Sequence, residues 1–134
     1  MINNPNLHFT FSKQERLCSR KTIEKIFESG KAINENPLRL LWIENPNAEK
    51  VFLQITISVP KKKIKKAVNR NKIKRHIREA YRLNKHKFFS AFENSEKQYA
   101  AIIIYTGREP LAWKELEAKI FVTLQRFAKE ACKK

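Results

Sequence analysis

Thirteen of the 27 residues from Lys61 to Lys87 are Lys or Arg, and Glu79 is the only acid among them, so this stretch carries +12 of the chain's formal +16. The cations are Lys61, Lys62, Lys63, Lys65, Lys66, Arg70, Lys72, Lys74, Arg75, Arg78, Arg82, Lys85 and Lys87. Ammonium and guanidinium groups at this density neutralise phosphates, and a polyanion relieves the repulsion that they impose on the free protein. Asn71 adds an amide that both donates and accepts hydrogen bonds. Hydrolytic chemistry has no comparable support. The chain contains no Asp, and its 13 acids are all Glu, scattered along the sequence. A two-metal nuclease holds its cations with clustered carboxylates, so no catalytic or metal-ligating residue is assigned. A nuclease acting alone would have to use Glu79 with His76 or His86, positions where a charged surface histidine is the ordinary role. Cys18 and Cys132 lack CxxC spacing and His partners, which fits free thiols of a cytosolic protein and not a zinc site.

The charge is ordered as well as dense. At about 100° per residue, Ile73, Ile77, Ala80, Tyr81 and Phe88 fall on one arc of a helix, and Asn71, Lys74, Arg75, Arg78, Arg82 and Lys85 on the opposite arc. The stretch predicts a helix docked by an apolar seam with a cationic face outward. Around it, Ser19 or Thr22 caps a helix that runs to about Ser29 and stops at Gly30. Ile23, Ile26 and Phe27 share one face of that helix, with Phe27 able to sit at a rim and stack on a base. Two strand-like runs follow, Leu38 to Ile43 and Val51 to Val59, separated by the turn-prone ENPNAE. In the second, Val51, Leu53, Ile55, Ile57 and Val59 point one way, and Phe52, Gln54, Thr56 and Ser58 the other. Pro60 closes that strand, and the central helix continues to about Phe92. Ala100 to Tyr105 suits a buried strand, and Trp113, Leu116, Ile120, Leu124, Phe127 and Ala131 make the apolar stripe of a last helix.

These elements give a single α+β domain over residues 1–134, with a loosely ordered arm to about residue 15 and a tail from about 129. Their order is α-β-β-α-β-α, around a small, mostly antiparallel sheet packed by helices. With 42% hydrophobic residues and nine Phe, the chain can bury a core. A membrane role is disfavoured. No apolar run approaches the roughly 20 residues that span a bilayer, and MINNPNLHFTF lacks the layout of a signal peptide. The reading is of a cytoplasmic nucleic-acid-binding protein.

The segment AVNRNKIKRHIREAYR resembles the basic helix of the bacterial ribonuclease P protein component, whose Arg-Asn-Arg core is followed by a Lys-Arg pair and a further Arg. Here that pattern stands as Arg70, Asn71, Lys72, then Lys74 and Arg75, then Arg78 and Arg82. RLCSRKTIEKIFESGK resembles the family's opening helix, ISVPKK its lead-in to the basic helix, and AAIIIYTGRE with the amphipathic helix after it the family's ending. The resemblance spans roughly residues 16 to 128 in the same order. Lys72 departs from the second Arg and loses the planar fork that grips phosphate at two points. Ile23 stands where the family often has an aromatic ring, and the lysine run is about one residue longer than usual.

The resemblance implies a left-handed β-α-β crossover that includes the basic helix, against the usual handedness. It implies a non-catalytic subunit of a ribonucleoprotein endonuclease that removes the 5′ leader from precursor tRNA, with the partner RNA and its Mg²⁺ ions performing the hydrolysis. The partners would be that catalytic RNA and the leader, with no protein partner and no membrane. Under this reading Arg70, Asn71, Lys72, Lys74, Arg75, Arg78 and Arg82 bind RNA, and Lys61, Lys62, Lys63, Lys65 and Lys66 add diffuse attraction. Phe27, Phe52, Gln54, Thr56, Ser58, Arg70 and Lys74 would line the leader groove, while Arg75, Arg78 and Arg82 face the catalytic RNA. A structural RNA-binding protein such as a ribosomal one fits the charge equally well, and only the motif in its setting separates the two. A DNA-binding helix-turn-helix protein fits less well, because strands flank the basic helix.

Overall fold

A computed structural model of the chain describes residues 15–45, 52–89 and 97–132. Its elements are α1 (Arg20–Ser29), β1 (Lys31–Glu35), β2 (Leu38–Glu44), β3 (Leu53–Ser58), α2 (Ala67–Phe89), β4 (Tyr99–Tyr105) and α3 (Trp113–Cys132). The four strands form one mixed sheet in the order β1-β2-β4-β3. The β1–β2 and β2–β4 pairs are antiparallel, and β3 runs parallel to β4. Parallel neighbours need a crossover connection, and here α2 supplies it, so the most charged element of the chain lies between two adjacent strands.

Strand β4 accounts for much of this arrangement. Its run YAAIIIY has no polar alternation, and all but Ile104 are buried. A strand of that kind needs cover on both faces. On one face α2 and α3 pack Ile73, Ile77, Tyr81, Leu116, Ile120, Leu124 and Phe127 against Leu40, Trp42, Ala101 and Ile103. On the other, α1 lays Ile26 over Leu41 and Ala100, joined by Leu17. Ser19 starts α1 by accepting the Thr22 N–H on its hydroxyl at 3.3 Å, and the Gly30 N–H closes the helix on the Ile26 carbonyl at 2.7 Å. A Cβ on Gly30 would collide with that carbonyl oxygen, so the chain can turn into β1 this tightly only without a side chain.

Three expectations are corrected. The order is α-β-β-β-α-β-α, because β1 precedes the first anticipated strand. Its sequence KAINE buries only Ile33, too little for an apolar pattern, and the strand exists through its pairing with β2. The anticipated tail from residue 129 is the last turn of α3, which runs to Cys132. The alternation of β3 fails at its start. Phe52 precedes the strand and turns to the core, edge-on to Tyr99 at 5.3 Å and tilted against Phe127 at 6.2 Å. Residues 1–14 of the anticipated arm, Val51, and the extension of the central helix past Phe89 lie outside the described residues.

Candidate nucleic-acid interface

Helix α2 docks as its periodicity requires, with Ile73, Ile77, Ala80 and Tyr81 all at most 2% exposed. Asn71, Lys72, Arg75 and Arg78 are exposed on the outer side and Lys74 is half-buried. The first turn contains no acid, whereas His86 and Lys87 stand in the last. Cations at the carboxyl end complement the helix dipole, but those crowded at the amino end oppose it, and an incoming anion would relieve that end.

The lysine segment ahead of the helix has a definite shape. Ile64 is buried at 2% exposure, while Lys61, Lys62, Lys63, Lys65 and Lys66 around it are exposed. The backbone N–H groups of Lys63 and Ile64 donate to the Pro60 carbonyl at 3.2 and 3.1 Å. Arg70 reaches back from α2 and donates through Nη1 to the carbonyls of Ile64 (2.9 Å) and Lys65 (2.7 Å). The ammonium of Lys63 donates to the Thr106 carbonyl at 3.1 Å, tying the segment to the end of β4. Five lysines are thus presented by a turn that one apolar plug and one guanidinium hold in place.

Beside α2, a groove of about 410 Å³ opens between residues 16–18, edge strand β3 and the helix. Arg16, Lys74 and Arg78 supply three cations to its walls, and Leu17, Cys18, Ile55, Thr56 and Ile57 complete them. Its outer wall adds to the sheet. Arg16 bridges to Ile55 in parallel register, and the Leu17 N–H donates to the Ile55 carbonyl at 3.0 Å. Glu15 fixes the same segment to α2 through an ion pair with Lys85, whose Nζ lies 2.5 and 2.7 Å from the two carboxylate oxygens.

The profile of the Ribonuclease P family matches residues 11–128. A ribonuclease P protein component of Porphyromonas gingivalis is 39% identical over 97 residues, covering 72% of this chain and 69% of its own length. That of Geotalea uraniireducens is 34% identical over 121 residues, covering 90% and 97% respectively. The chain belongs to the ribonuclease P protein family. The fold agrees: the ribonuclease P protein of Thermotoga maritima superposes with a TM-score of 0.65 at 26% identity, covering 84% of this chain and 96% of its own. That of Staphylococcus aureus, at 22% identity, shares the fold with a TM-score of 0.61 over 86% and 95%.

In this ribonuclease P family member the anticipated site residues separate into groups. Lys74 and Thr56 line the groove, and Arg70 does not: its Nη1 is committed to the lysine turn. Arg78, assigned from the sequence to the catalytic RNA, joins Lys74 in the groove, since positions four apart share a helix face. Ser58 is half-exposed on the face of Thr56, Gln54 is half-buried there, and Phe27 stands out from α1 at 58% exposure. Phe52 belongs to the core. Two members of the anticipated cationic arc are spoken for: Lys85 is buried with Glu15, and Arg82 is held by Glu79 through Nε at 3.1 Å and Nη2 at 2.6 Å. That hydrogen bond, more than the charge itself, holds the Glu79 carboxyl below its ordinary range. Arg16, which the sequence reading missed, carries no local signal beyond its charge; only its long-range pairing with β3 brings it to the groove.

His76 packs edge-on against Trp113, ring centroids 5.3 Å apart. Partial burial, then Arg75 and Lys72, lowers its pKa below 6.5. The unfolded chain therefore takes up this proton first, so stability falls as pH drops from about 6.5 toward the lowered value. Phosphates beside Arg75 and Lys72 would offset those charges. Ring-proton NMR is expected to place the His76 midpoint below 6.5 in the free protein and higher with bound RNA.

Proposed function

We propose that this chain is the non-catalytic protein subunit of ribonuclease P, binding both the catalytic RNA and the single-stranded 5′ leader that the enzyme removes from precursor tRNA. The observation that carries the reading is the juxtaposition of the lysine turn, the exposed face of α2 and the three-cation groove on one family-matched scaffold. The leader lies along the groove, where Arg16, Lys74 and Arg78 neutralise its phosphates and Thr56 and Ile57 meet its bases. Such surfaces take single strands with little sequence preference, which suits leaders of varied sequence. Asn71, Lys72, Arg75 and the Lys61–Lys66 turn hold the backbone of the catalytic RNA.

Mg²⁺ in this reading is held by the RNA and supports phosphodiester hydrolysis there. The polypeptide's own part in this reading is to bind and orient. No described helix is long and apolar enough to cross a membrane, and the proposed place of work is the cytoplasm.

The test is reconstitution with a bacterial ribonuclease P RNA at low Mg²⁺, using precursor tRNA labelled at its 5′ end. Leader release should require RNA and be strongly promoted by the protein. Cleavage by the protein alone would overturn the assignment in favour of a nuclease using Glu79. Binding without any help to cleavage would leave a structural RNA-binding protein.

A further inference from the structure

Val68 breaks the rule by which α2 sorts its side chains. Ile73 and Ile77 of the same helix are at most 2% exposed, whereas Val68 is 76% exposed, more than any other large hydrophobic side chain among the described residues. It belongs to neither apolar cluster of the fold. The free helix gains nothing from valine at this position. A solvated β-branched residue is a poorer helix former than Ala, Lys or Arg, and the gain from removing its methyl groups from water is forgone.

The surroundings of Val68 say what it meets. Helix α2 begins at Ala67, so Asn71, Lys72 and Arg75 follow Val68 by three, four and seven residues on one face, and all three are exposed. Exposed Lys65 and Lys66 come immediately before the helix. Its first turn contains no acid. Glu79, the acid of this helix, stands three turns further on and is paired with Arg82. The most exposed apolar side chain therefore sits within the cations assigned above to the catalytic RNA.

We propose that Val68 packs against an unstacked base of the catalytic RNA and supplies a part of the affinity that does not depend on salt. The inference rests on the RNA-binding reading above and adds to it a contact of a different physical kind. Phosphates held by Lys65 or Lys66 on one side and by Lys72 or Arg75 on the other bring the nucleotide between them over Val68. The face of a base asks for no hydrogen bond and suits an aliphatic side chain. Ribose hydroxyls do not, because valine would desolvate them without offering a partner. A valine in a helix is nearly fixed at χ1, so the contact forfeits little rotamer freedom.

The full chain, as wild type, Val68→Ala, Val68→Lys or Gln125→Lys, is titrated against a bacterial ribonuclease P RNA across a salt series. Gln125 is exposed on α3 and controls for the gain of one charge. Val68→Ala is expected to weaken binding about five-fold at every salt concentration. The slope of log affinity against log salt should stay at its wild-type value, because that slope counts neutralised phosphates. Val68→Lys is expected to bind more weakly than both wild type and Gln125→Lys, despite its added charge. The proposal is overturned if Val68→Ala binds as wild type does. It is also overturned if Val68→Lys binds more tightly with a slope steeper by about one unit, the behaviour of one more solvated cation. A weaker Val68→Ala with a shallower slope overturns it too, because the substitution would then act by displacing cations. If wild type itself does not bind the RNA, the subunit reading fails and takes this proposal with it. Thermal melts should show Val68→Ala at least as stable as wild type, because the side chain is exposed and alanine is the better helix former.

Discussion

Reversing both helix cations of the groove, Lys74→Glu with Arg78→Glu, is expected to weaken binding of leader-bearing precursor tRNA to the holoenzyme by roughly a hundred-fold, about 2.7 kcal/mol. The two side chains stand one helical turn apart and face the same groove. Each substitution removes an attraction and adds a repulsion to the same track of phosphates. No described acid lines that groove with them, so the reversed charges meet only Arg16 and whatever anion enters. The plot of log affinity against log salt should also become shallower by about two units, one for each phosphate that is no longer neutralised. Equilibrium binding across a salt series reads both quantities. Arg82→Ala serves as the internal contrast. Its guanidinium is already compensated by Glu79 at 2.6 Å, so its removal should change affinity by no more than about two-fold, in keeping with the small worth of exposed ion pairs. Equal effects from Arg82→Ala and the double reversal would show that net charge, and not the groove, sets affinity.

The contrast between Arg78 and Arg82 also marks how far the sequence could be read. Helical periodicity identified the buried side of α2 residue by residue, because Ile73, Ile77, Ala80 and Tyr81 recur at the spacing that one packed face demands. It could not rank the cations on the other side. Arg82 and Lys85 look as available as Arg78 in sequence, and their partners decide otherwise. Glu79 lies three residues from Arg82, so that pairing could have been inferred from spacing. Glu15 lies 70 residues from Lys85, and nothing local joins them. The same distinction explains Arg16, whose place comes from a bridge to Ile55, and Arg70, whose role in shaping the lysine turn depends on where Ile64 and Lys65 point their carbonyls. Strand β1 was missed for a related reason: one buried Ile cannot make an alternating pattern, and pairing with β2 makes the strand. Phe52 continued an unbroken alternation on paper, but the edge of an aromatic cluster drew it inward.

That cluster sets the second large effect. Phe127→Ala is expected to lower unfolding free energy by about 3–5 kcal/mol and the melting temperature by roughly 10–15 °C. Phe127 is fully buried and meets Trp42 and Tyr99 edge-on, with ring centroids 5.2 and 5.7 Å away. Trp42 and Tyr99 in turn meet each other at 5.4 Å. Removing the Phe127 ring therefore leaves two aromatic neighbours facing one cavity and forfeits edge-to-face attraction beyond what burial alone supplies. The neighbourhood has little slack, because the Trp42 Nε1 is buried with no hydrogen-bond partner among the described residues and depends on packing to offset its desolvation. The consequence for function follows from position. Phe127 fastens α3 to the sheet, and α3 is the element against which α2 docks, so the substitution loosens the platform under the cationic face without touching a cation. At a temperature where the variant remains folded, its RNA affinity should stay within a few-fold of wild type. Under the proposed function RNA binds the folded form alone, so it should also raise the variant's melting temperature as its concentration increases. Calorimetry of the free and RNA-bound variant decides the matter: a decrease below about 1 kcal/mol would show that the cavity collapses and that the cluster does not carry this part of the fold. A large drop in stability with RNA affinity preserved would separate the apolar device that holds the helices from the charges that α2 presents.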